Sequence, residues 1–378
     1  MDALQKISGL IKEYYSKADM AIDKIGSREF GFGTSDKKIA VRHLSFKTNE
    51  DLKRYAVQNA PFYVSYSSAY YRYAEARPME KKEWLGSELV FDLDATDMNL
   101  ECQRTHGRNF VCENCLVKVR EEAVKLIEEF LIPDMGFPEK AIEMNFSGNR
   151  GYHIHIKDGE VLPLGEDARK EISDYISGNG ISFVKLFPTS GLRGKALMGP
   201  KPGDYGWGGR IARSFIKALD GGTEALESMG IERGIARKLY AKRSLIEMGI
   251  NSGNWDMVYI KKKDEFWQEI VRRQSIMQSD RIDRNVTIGI GHLIRLPGTI
   301  HGSSGLIAKR IKGISALASY EPMDECVAFG SEPMKIHIEG CGRFYMKGKE
   351  FGPYRNEDAE LPAYAAIYLH LKGFGTIK

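Results

Sequence analysis

The spacing of apolar residues changes several times along the chain, and each change predicts a new structural element. Apolar residues recur every three to four positions through the first 25 residues, as in an amphipathic helix. Alternating runs at 28–32 and 38–46 follow, and such runs predict short strands. The clearest strand prediction is 88–94 (ELVFDLD). The first quarter of the chain is therefore expected to form a helix followed by strands.

A segment with three cysteines in fourteen residues interrupts this pattern at 99–116. Helical spacing resumes over roughly 114–131. Two alternating runs, 141–147 and 151–157, are separated by the turn residues Gly-Asn-Arg and predict a β-hairpin.

Helical spacing dominates residues 165 to about 275. Within this part, 191–209 contains seven glycines and two prolines, a composition that predicts a mobile loop. From residue 281 the chain is apolar and strand-like again, and 361–374 predicts a closing helix. We therefore predict an α+β fold, with a mixed β-sheet flanked by helices.

The same pattern predicts the domain organisation. Residues 1–160 and 281–378 are expected to form one domain around the sheet, with the cysteine-rich motif at about 99–116 as an insertion. Residues 165–275 are expected to form a helical subdomain.

The composition is that of a globular protein and excludes disorder throughout the chain. Apolar residues make up 42% and charged residues 28% of the 378 positions. The net charge of +4 is too small to indicate nucleic-acid binding by itself, although it allows a local basic groove. The N-terminus lacks signal-peptide features, and no apolar run approaches the roughly 18 residues of a membrane span. We expect a cytoplasmic protein.

Two aspartates on the predicted strand 88–94 are the first candidates for chemistry. Asp92 and Asp94 are two residues apart, so both carboxylates lie on one face of the strand. Crowded carboxylates repel each other unless a cation lies between them, and oxygen pairs favour Mg²⁺ or Mn²⁺. Two solvated acids on an open sheet face would give the same short motif.

The cysteine-rich segment has the spacing of a metal site. Cys102, His106, Cys112 and Cys115 form a C-x3-H-x5-C-x2-C pattern, which suits tetrahedral Zn²⁺. Because all four ligands come from the protein, the zinc is expected to be structural. Free cysteines usually avoid polar segments such as this one, so unliganded cysteines are the weaker interpretation.

The predicted hairpin contains the sequence SGNRGYH, which has features of a phosphate-binding turn. Gly148 lets the backbone approach a ligand closely, and Ser147 offers a hydroxyl. Arg150 has a forked cation suited to phosphate, and His153 and His155 share one face of the returning strand. A tight turn beside surface histidines would explain the sequence equally well.

A last polar cluster lies within the apolar stretch 283–301. Asp283 could complete a two-metal site with the pair on the strand. Arg295 and His301 could contact triphosphate charge. The alternative is a buried strand with polar capping groups.

Taken together and in chain order, these motifs resemble the catalytic small subunit of archaeal and eukaryotic DNA primases. The resemblance extends from REFGF and VRHLSF through ELVFDLD, the zinc motif and FSGNRGYHIHI to DRNVTIGIGHLIRLPGTIHG. The histidine among the zinc ligands and the HLIRLPGTIHG run favour the archaeal form. The resemblance implies a primase catalytic core with a zinc-knuckle insertion and a helical subdomain.

The resemblance also implies roles for individual residues. Asp92, Asp94 and Asp283 would hold two Mg²⁺ or Mn²⁺ ions as the catalytic carboxylates. The implied nucleotide-binding residues are Ser147, Gly148, Arg150, His153, Arg295, His301 and Arg42. Glu29 matches an acid of the family for which no role is assigned, and Asn149 stands where eukaryotic members often have an arginine.

The activity implied is synthesis of short RNA primers on single-stranded DNA from nucleoside triphosphates, with deoxynucleotides as an open alternative substrate. The implied partner is a large primase subunit with an iron–sulfur domain. Two alternatives share some of the motifs: a primase-polymerase of repair or of a mobile element, and a non-catalytic zinc-containing nucleic-acid-binding protein. A third is a phosphoesterase that uses His153 and His155.

Overall fold

The computed structural model describes residues 3–108, 110–279 and 281–378, apart from the side chains of residues 105 and 275–279. The chain divides into two compact units. The sheet unit comprises residues up to Ile127, Phe137–Lys170 and Ile282–Lys378, and the helical unit comprises Glu128–Gly136 and Glu171–Arg281.

The strands of the described residues lie in the sheet unit. In chain order they are β1 (Phe30–Gly33), β2 (Val41–Leu44), β3 (Tyr63–Ser67), β4 (Ala69–Tyr71), β5 (Trp84–Ser87), β6 (Leu89–Asp94), β7 (Ile142–Phe146), β8 (Gly151–Ile156), β9 (Leu293–Arg295), β10 (Lys309–Ile311), β11 (Pro333–Cys341), β12 (Phe344–Met346), β13 (Lys349–Phe351), β14 (Tyr354–Pro362) and β15 (Gly375–Ile377).

Helices occur in both units. In chain order they are α1 (Ala3–Lys17), α2 (Asn49–Asn59), α3 (Glu101–His106), α4 (Glu113–Lys125), α5 (Glu166–Ile176), α6 (Phe183–Leu186), α7 (Gly206–Asp220), α8 (Gly222–Ser228), α9 (Arg233–Ala241), α10 (Arg243–Asn251), α11 (Lys263–Ser279), α12 (Arg284–Ile288), α13 (Ile314–Ala318), α14 (Pro322–Glu325) and α15 (Ala363–Leu371).

Two four-stranded sheets of the sheet unit place the candidate residues. One has the order β2-β1-β3-β9 and the other the order β10-β7-β8-β6, and neighbouring strands in both are antiparallel. Helix α4 packs against β6 and β8. On β6, Leu89, Phe91 and Leu93 are fully buried, and Asp92 and Asp94 lie on the other face and remain partly exposed. The α+β fold class predicted from the sequence is confirmed.

The helical unit has its own aromatic core. Phe215 and Trp255 both pack edge-on against Trp267, and Phe187 packs edge-on against Trp255. The glycine-rich segment is fastened to this core: the Trp255 amide donates to the Leu197 carbonyl at 2.8 Å. The Trp255 indole also donates to the Pro200 carbonyl at 2.9 Å. The prediction of a mobile loop came from the glycine and proline content of this segment. Composition carries no information about hydrogen bonds to a distant residue such as Trp255.

Three element predictions differ from the structure. The first helix ends at Lys17 and not near residue 25, and α4 gives way after Lys125 to a π-helical turn at Leu126–Leu131. The strand-like run after residue 281 begins as the short helix α12, because the Asp283 carboxylate caps it by accepting the Asn285 amide at 2.9 Å. Short apolar runs do not distinguish strand from helix by pattern alone.

Among the described residues, no helix combines the length and apolarity needed to span a membrane.

Candidate active site

The pairing of β6 with β8 brings the first candidate residues together. Asp92 is the register partner of His153, and Asp94 is the partner of Gly151. The His153 Nε2 atom lies 3.5 Å from an Asp92 carboxylate oxygen. Arg150 donates to the Asp94 carboxylate at 3.3 Å. The aspartates of β6 and the basic end of the SGNRGYH turn therefore share one face of this sheet.

Asp283 reaches the same place from a distant part of the chain. Its amide donates to the carbonyl of Asp92 at 2.9 Å. Loss of solvation, together with repulsion from Asp94 and Asp283, raises the pKa of Asp92 to about 8. Asp94 and Asp283 are therefore close enough to Asp92 to destabilise the charge on its carboxylate.

A pair of divalent cations fits this set. Carboxylate oxygens are the ligands that Mg²⁺ prefers, and a cation would remove the repulsion that raises the Asp92 pKa. In the described part of the chain, the carboxylate oxygens of Asp92, Asp94 and Asp283 do not all lie within 4.8 Å of one another. They are therefore spread more widely than the ligands of a single metal ion. A two-metal site would accommodate that wider spacing, with Asp92, Asp94 and Asp283 as the residues that would hold the ions.

The SGNRGYH turn is built for close approach of the backbone. The Ser147 hydroxyl accepts the Gly151 amide at 3.2 Å and closes the turn. Gly148 has φ +83°, and a Cβ atom there would lie 2.9 Å from the Cβ of His301. The Ser304 hydroxyl donates to the Gly148 carbonyl at 2.5 Å. Only glycine therefore allows the loop that contains His301 to pack directly against the turn.

Arg295 and His301 complete this side of the site. Arg295 lies on β9, donates to the Val64 carbonyl at 3.1 Å, and stacks 4.8 Å above the Tyr63 ring. Burial lowers the Arg295 pKa to about 10, so the guanidinium stays charged at neutral pH. His301 is 7% exposed and lies edge-on to Tyr63.

The two site histidines are neutral at pH 7. Burial, followed by the charges of His155 and Arg295, lowers the His153 pKa to about 3. Burial and four surrounding cations likewise hold the His301 pKa well below its usual value; those cations are Arg295, Lys372, Lys38 and Arg150. Within the described residues, His153 Nδ1 and Arg150 Nε are buried without a hydrogen-bond partner. The hydrogen-bonding capacity of these two atoms is therefore unused in this structure.

Arg42 is placed differently from the other nucleotide-binding candidates. Its Nε atom lies 2.7 Å from a carboxylate oxygen of Glu29, which is fully buried. Lys82 lies 3.5 Å from the other oxygen of Glu29. The acid for which the sequence suggested no role therefore holds two cations, and much of the Arg42 charge is already paired.

A buried charge network lies behind the site, and sequence patterns did not indicate it. Glu88, just before β6, accepts hydrogen bonds from Arg28 at 2.5 Å and from Tyr70 at 2.8 Å. The His155 Nδ1 atom lies 2.8 Å from the second oxygen of Glu88. His155 is fully buried in this network, so it is not free to act with His153 as a phosphoesterase pair would require.

The zinc candidates form a compact cluster. Cys102 and His106 lie one turn apart on α3, and Cys112 and Cys115 lie at the start of α4. Their ligand atoms all lie within 4.8 Å of one another. The Cys115 sulfur lies 3.4 Å from that of Cys102, 3.7 Å from that of Cys112 and 3.5 Å from His106 Nε2. Tetrahedral Zn²⁺ with bonds of about 2.3 Å to sulfur needs separations close to these, so the set fits zinc.

Comparisons with known proteins agree with this geometry. Residues 91–312 match the model of the family described as DNA primase small subunit. The chain is 34% identical to the DNA primase small subunit PriS of Methanothrix thermoacetophila, over 97% of this chain and 96% of that protein.

The chain belongs to the DNA primase small subunit family. It is also 35% identical to PriS of Methanococcoides burtonii over 96% of this chain and 95% of that protein. It is 30% identical to PriS of Thermoplasma acidophilum over 84% of this chain and 83% of that protein. The resemblance inferred from the motifs is confirmed, and a primase small subunit is an enzyme of the nucleotidyltransferase type.

Proposed function

We propose that this chain is the catalytic subunit of a DNA primase and makes short RNA primers on single-stranded DNA during replication. The observation that best supports this function is the hydrogen bond of 2.9 Å from the Asp283 amide to the Asp92 carbonyl. It brings Asp283 to the pair of aspartates on β6, beside the turn that contains Arg150. Three carboxylates facing a set of phosphate-binding side chains is the arrangement that nucleotidyl transfer needs.

In the proposed reaction, the 3′-hydroxyl of one nucleotide attacks the α-phosphorus of the next nucleoside triphosphate. The new O3′–P bond forms as the bond to the β-phosphate oxygen breaks; the proton of the hydroxyl passes to solvent, and pyrophosphate leaves. Two Mg²⁺ or Mn²⁺ ions, when bound, lower the pKa of the hydroxyl and stabilise the leaving group. Asp92, Asp94 and Asp283 are the residues that would hold them.

The side chains opposite the aspartates bind the triphosphate tail. Arg150 and Arg295 supply fixed positive charge, and His153 and His301 supply neutral N–H donors. Preorganised donors of this kind lower the barrier by alignment and charge stabilisation. Ser147 and Gly148 shape the turn that carries Arg150.

A large primase subunit that carries an iron–sulfur domain is the proposed partner, in a heterodimer. An iron–sulfur cluster generally requires four cysteine ligands. Outside the zinc set this chain has Cys326, which is fully buried, and Cys341. A cluster that assists initiation therefore has to come from another chain.

The test is labelled-nucleotide incorporation on a single-stranded DNA template by the purified heterodimer. The wild type should make short primers that depend on Mg²⁺ or Mn²⁺, and the Asp92→Ala, Asp94→Ala double variant should make none while retaining its circular-dichroism spectrum. Near-normal primer synthesis by the double variant would refute the site. Omission of the template should abolish incorporation.

A further inference from the structure

Lys372, near the C-terminal end of the sheet unit, contacts the SGNRGYH turn, which is distant from it in the sequence. It follows the last residue of α15, and its ammonium donates to the Asn149 side-chain oxygen at 2.6 Å. The two residues are 223 positions apart. Asn149 lies in the SGNRGYH turn, between Gly148 and Arg150.

The position of Lys372 is fixed by the packing of its helix. Residues 363–369 of α15 are all buried, as expected of a helix that is apolar on all sides. A Cβ atom on Gly305 would lie 3.3 Å from both Ile367 and Leu371, so α15 packs tightly against the loop that follows His301. The end of α15 is thereby held beside both the turn and His301.

The charges around the Lys372 ammonium favour the binding of an anion. Burial and the neighbouring Arg150 lower the Lys372 pKa to about 7, and Asp94 offsets only part of this. No carboxylate of the described residues forms an ion pair with the Lys372 ammonium within 4 Å. The residue remains partly exposed, so a ligand can reach it. A cation placed beside another cation without an acidic partner costs stability unless an anion is bound there.

We propose that Lys372 binds the triphosphate tail of the incoming nucleotide next to Arg150, and that the C-terminal helix thereby supplies a nucleotide-binding residue. This inference rests on the proposed function, because that function places a triphosphate at the SGNRGYH turn. Lys372 adds a point charge to those of the two arginines, whereas the two neutral histidines add donors only.

The experiment compares three variants with the wild-type heterodimer. Lys372→Met removes the charge, Lys372→Arg restores it, and Lys12→Met removes a charge from the exposed face of α1 as the matched control. One charge-assisted hydrogen bond corresponds to roughly 10- to 100-fold in affinity. We expect Lys372→Met to raise the KM for nucleoside triphosphate at least tenfold, with kcat changed less than threefold. Lys372→Arg and Lys12→Met should stay within threefold of wild type.

A rescue variant distinguishes binding from a structural role. Replacing Asn149 by Arg in the Lys372→Met background puts a cation back within reach of the same site. This second change should recover most of the lost affinity, which repair of packing at α15 would not do. The thermal melting temperature of nucleotide-free Lys372→Met should equal or exceed that of wild type, because a repelled charge is removed. Lys372→Gln provides a second neutral variant if Met is poorly folded.

Direct binding of ATP in Mg²⁺, measured by calorimetry, separates this inference from the proposed function. If the wild type makes primers but Lys372→Met and Lys372→Gln keep the wild-type KM and ATP affinity, Lys372 has no such role and the function stands. If the wild type incorporates no nucleotide, the function fails. The ATP titration then decides the role of Lys372: tenfold weaker binding supports it, and unchanged binding overturns it.

Discussion

The aspartate from the 280s shows how one residue can serve both the local fold and the proposed site. The Asp283 carboxylate accepts the Asn285 amide and caps α12, and the Asp283 amide is bonded to Asp92. Charge is needed for binding a cation, whereas the cap needs only an acceptor oxygen. The two roles can therefore be separated by substitution.

We expect Asp283→Asn to preserve the fold and to abolish most of the synthesis. Asparagine caps helices about as well as aspartate, so the free energy of unfolding should change by less than about 0.5 kcal/mol. Primer synthesis should fall more than a hundredfold, because a ligand charge is lost. Urea denaturation and incorporation assays check the two parts, and Asp167→Asn, at an exposed position of α5, is the control. Synthesis at wild-type rates would remove Asp283 from the site.

Glu88 is a residue whose contribution depends on pH. Burial alone would raise its pKa, but the hydrogen bond from His155 and the charges of Arg28, His155 and Lys157 hold it well below the usual value. A carboxyl with a depressed folded-state pKa stabilises the protein above its unfolded pKa of about 4.3, and the contribution is lost as the pH falls further.

Glu88→Gln should therefore destabilise the protein by about 3–5 kcal/mol at pH 7, because it removes the buried ionic partner of Arg28 and leaves only the half-exposed Asp23 at 3.4 Å. The difference from wild type should shrink as the pH is lowered below about 4.3. Chemical denaturation between pH 3 and 8 measures both effects. The exposed pair Glu83 and Arg72 provides the control, since Glu83→Gln should cost under about 1 kcal/mol. A pH-independent difference would show that lost packing, and not charge, is responsible.

At the scale of elements, the four zinc-ligand candidates lie where α3 meets the start of α4. The ring of Phe110, between the two ligand pairs, packs against His106 and Phe374. The helix α3 has only six residues, too few to be stable alone. A metal that binds both α3 and the start of α4 would supply the missing constraint.

We expect the purified protein to contain one zinc ion per chain and Cys115→Ser to lose it. The melting temperature of that variant should fall, and protease cleavage should appear within 99–116, because the segment loses its cross-link. Cys341→Ser is the matched control and should keep its zinc. Elemental analysis and mass spectrometry of the fragments measure these outcomes. Full zinc content in Cys115→Ser would contradict the assigned ligand set.

At the scale of the whole molecule, the described residues gather one set of candidate phosphate-binding side chains around the aspartates. Starting a primer requires two nucleotides to be held at once, whereas extension requires one nucleotide and a primer end. The family is named for a small subunit, which is consistent with a second chain sharing the work.

We therefore expect the isolated chain to extend a preformed primer and to form dinucleotides at least tenfold more slowly than the heterodimer. Dinucleotide formation and primer extension, measured separately with and without the large subunit, test this division. Equal dinucleotide rates with and without the partner would place both nucleotide sites within this chain.

Local patterns in the sequence predicted the features that depend only on residues close to each other in the chain. The alternation of strand residues predicted that Asp92 and Asp94 share one strand face. The spacing of the cysteines and the histidine predicted the metal-ligand cluster. Turn residues between two alternating runs predicted the β7–β8 hairpin. These features follow from backbone geometry over a few residues, so a single sequence suffices to predict them.

The tertiary structure alone decided the contacts between distant segments. It placed Asp283 at β6, Lys372 at the SGNRGYH turn, and Arg28 and His155 around Glu88. It also turned the apolar run after Asp283 into a helix and made the site histidines neutral by burying them. No local pattern encodes these outcomes, because burial and pairing depend on which surfaces meet when the whole chain has folded.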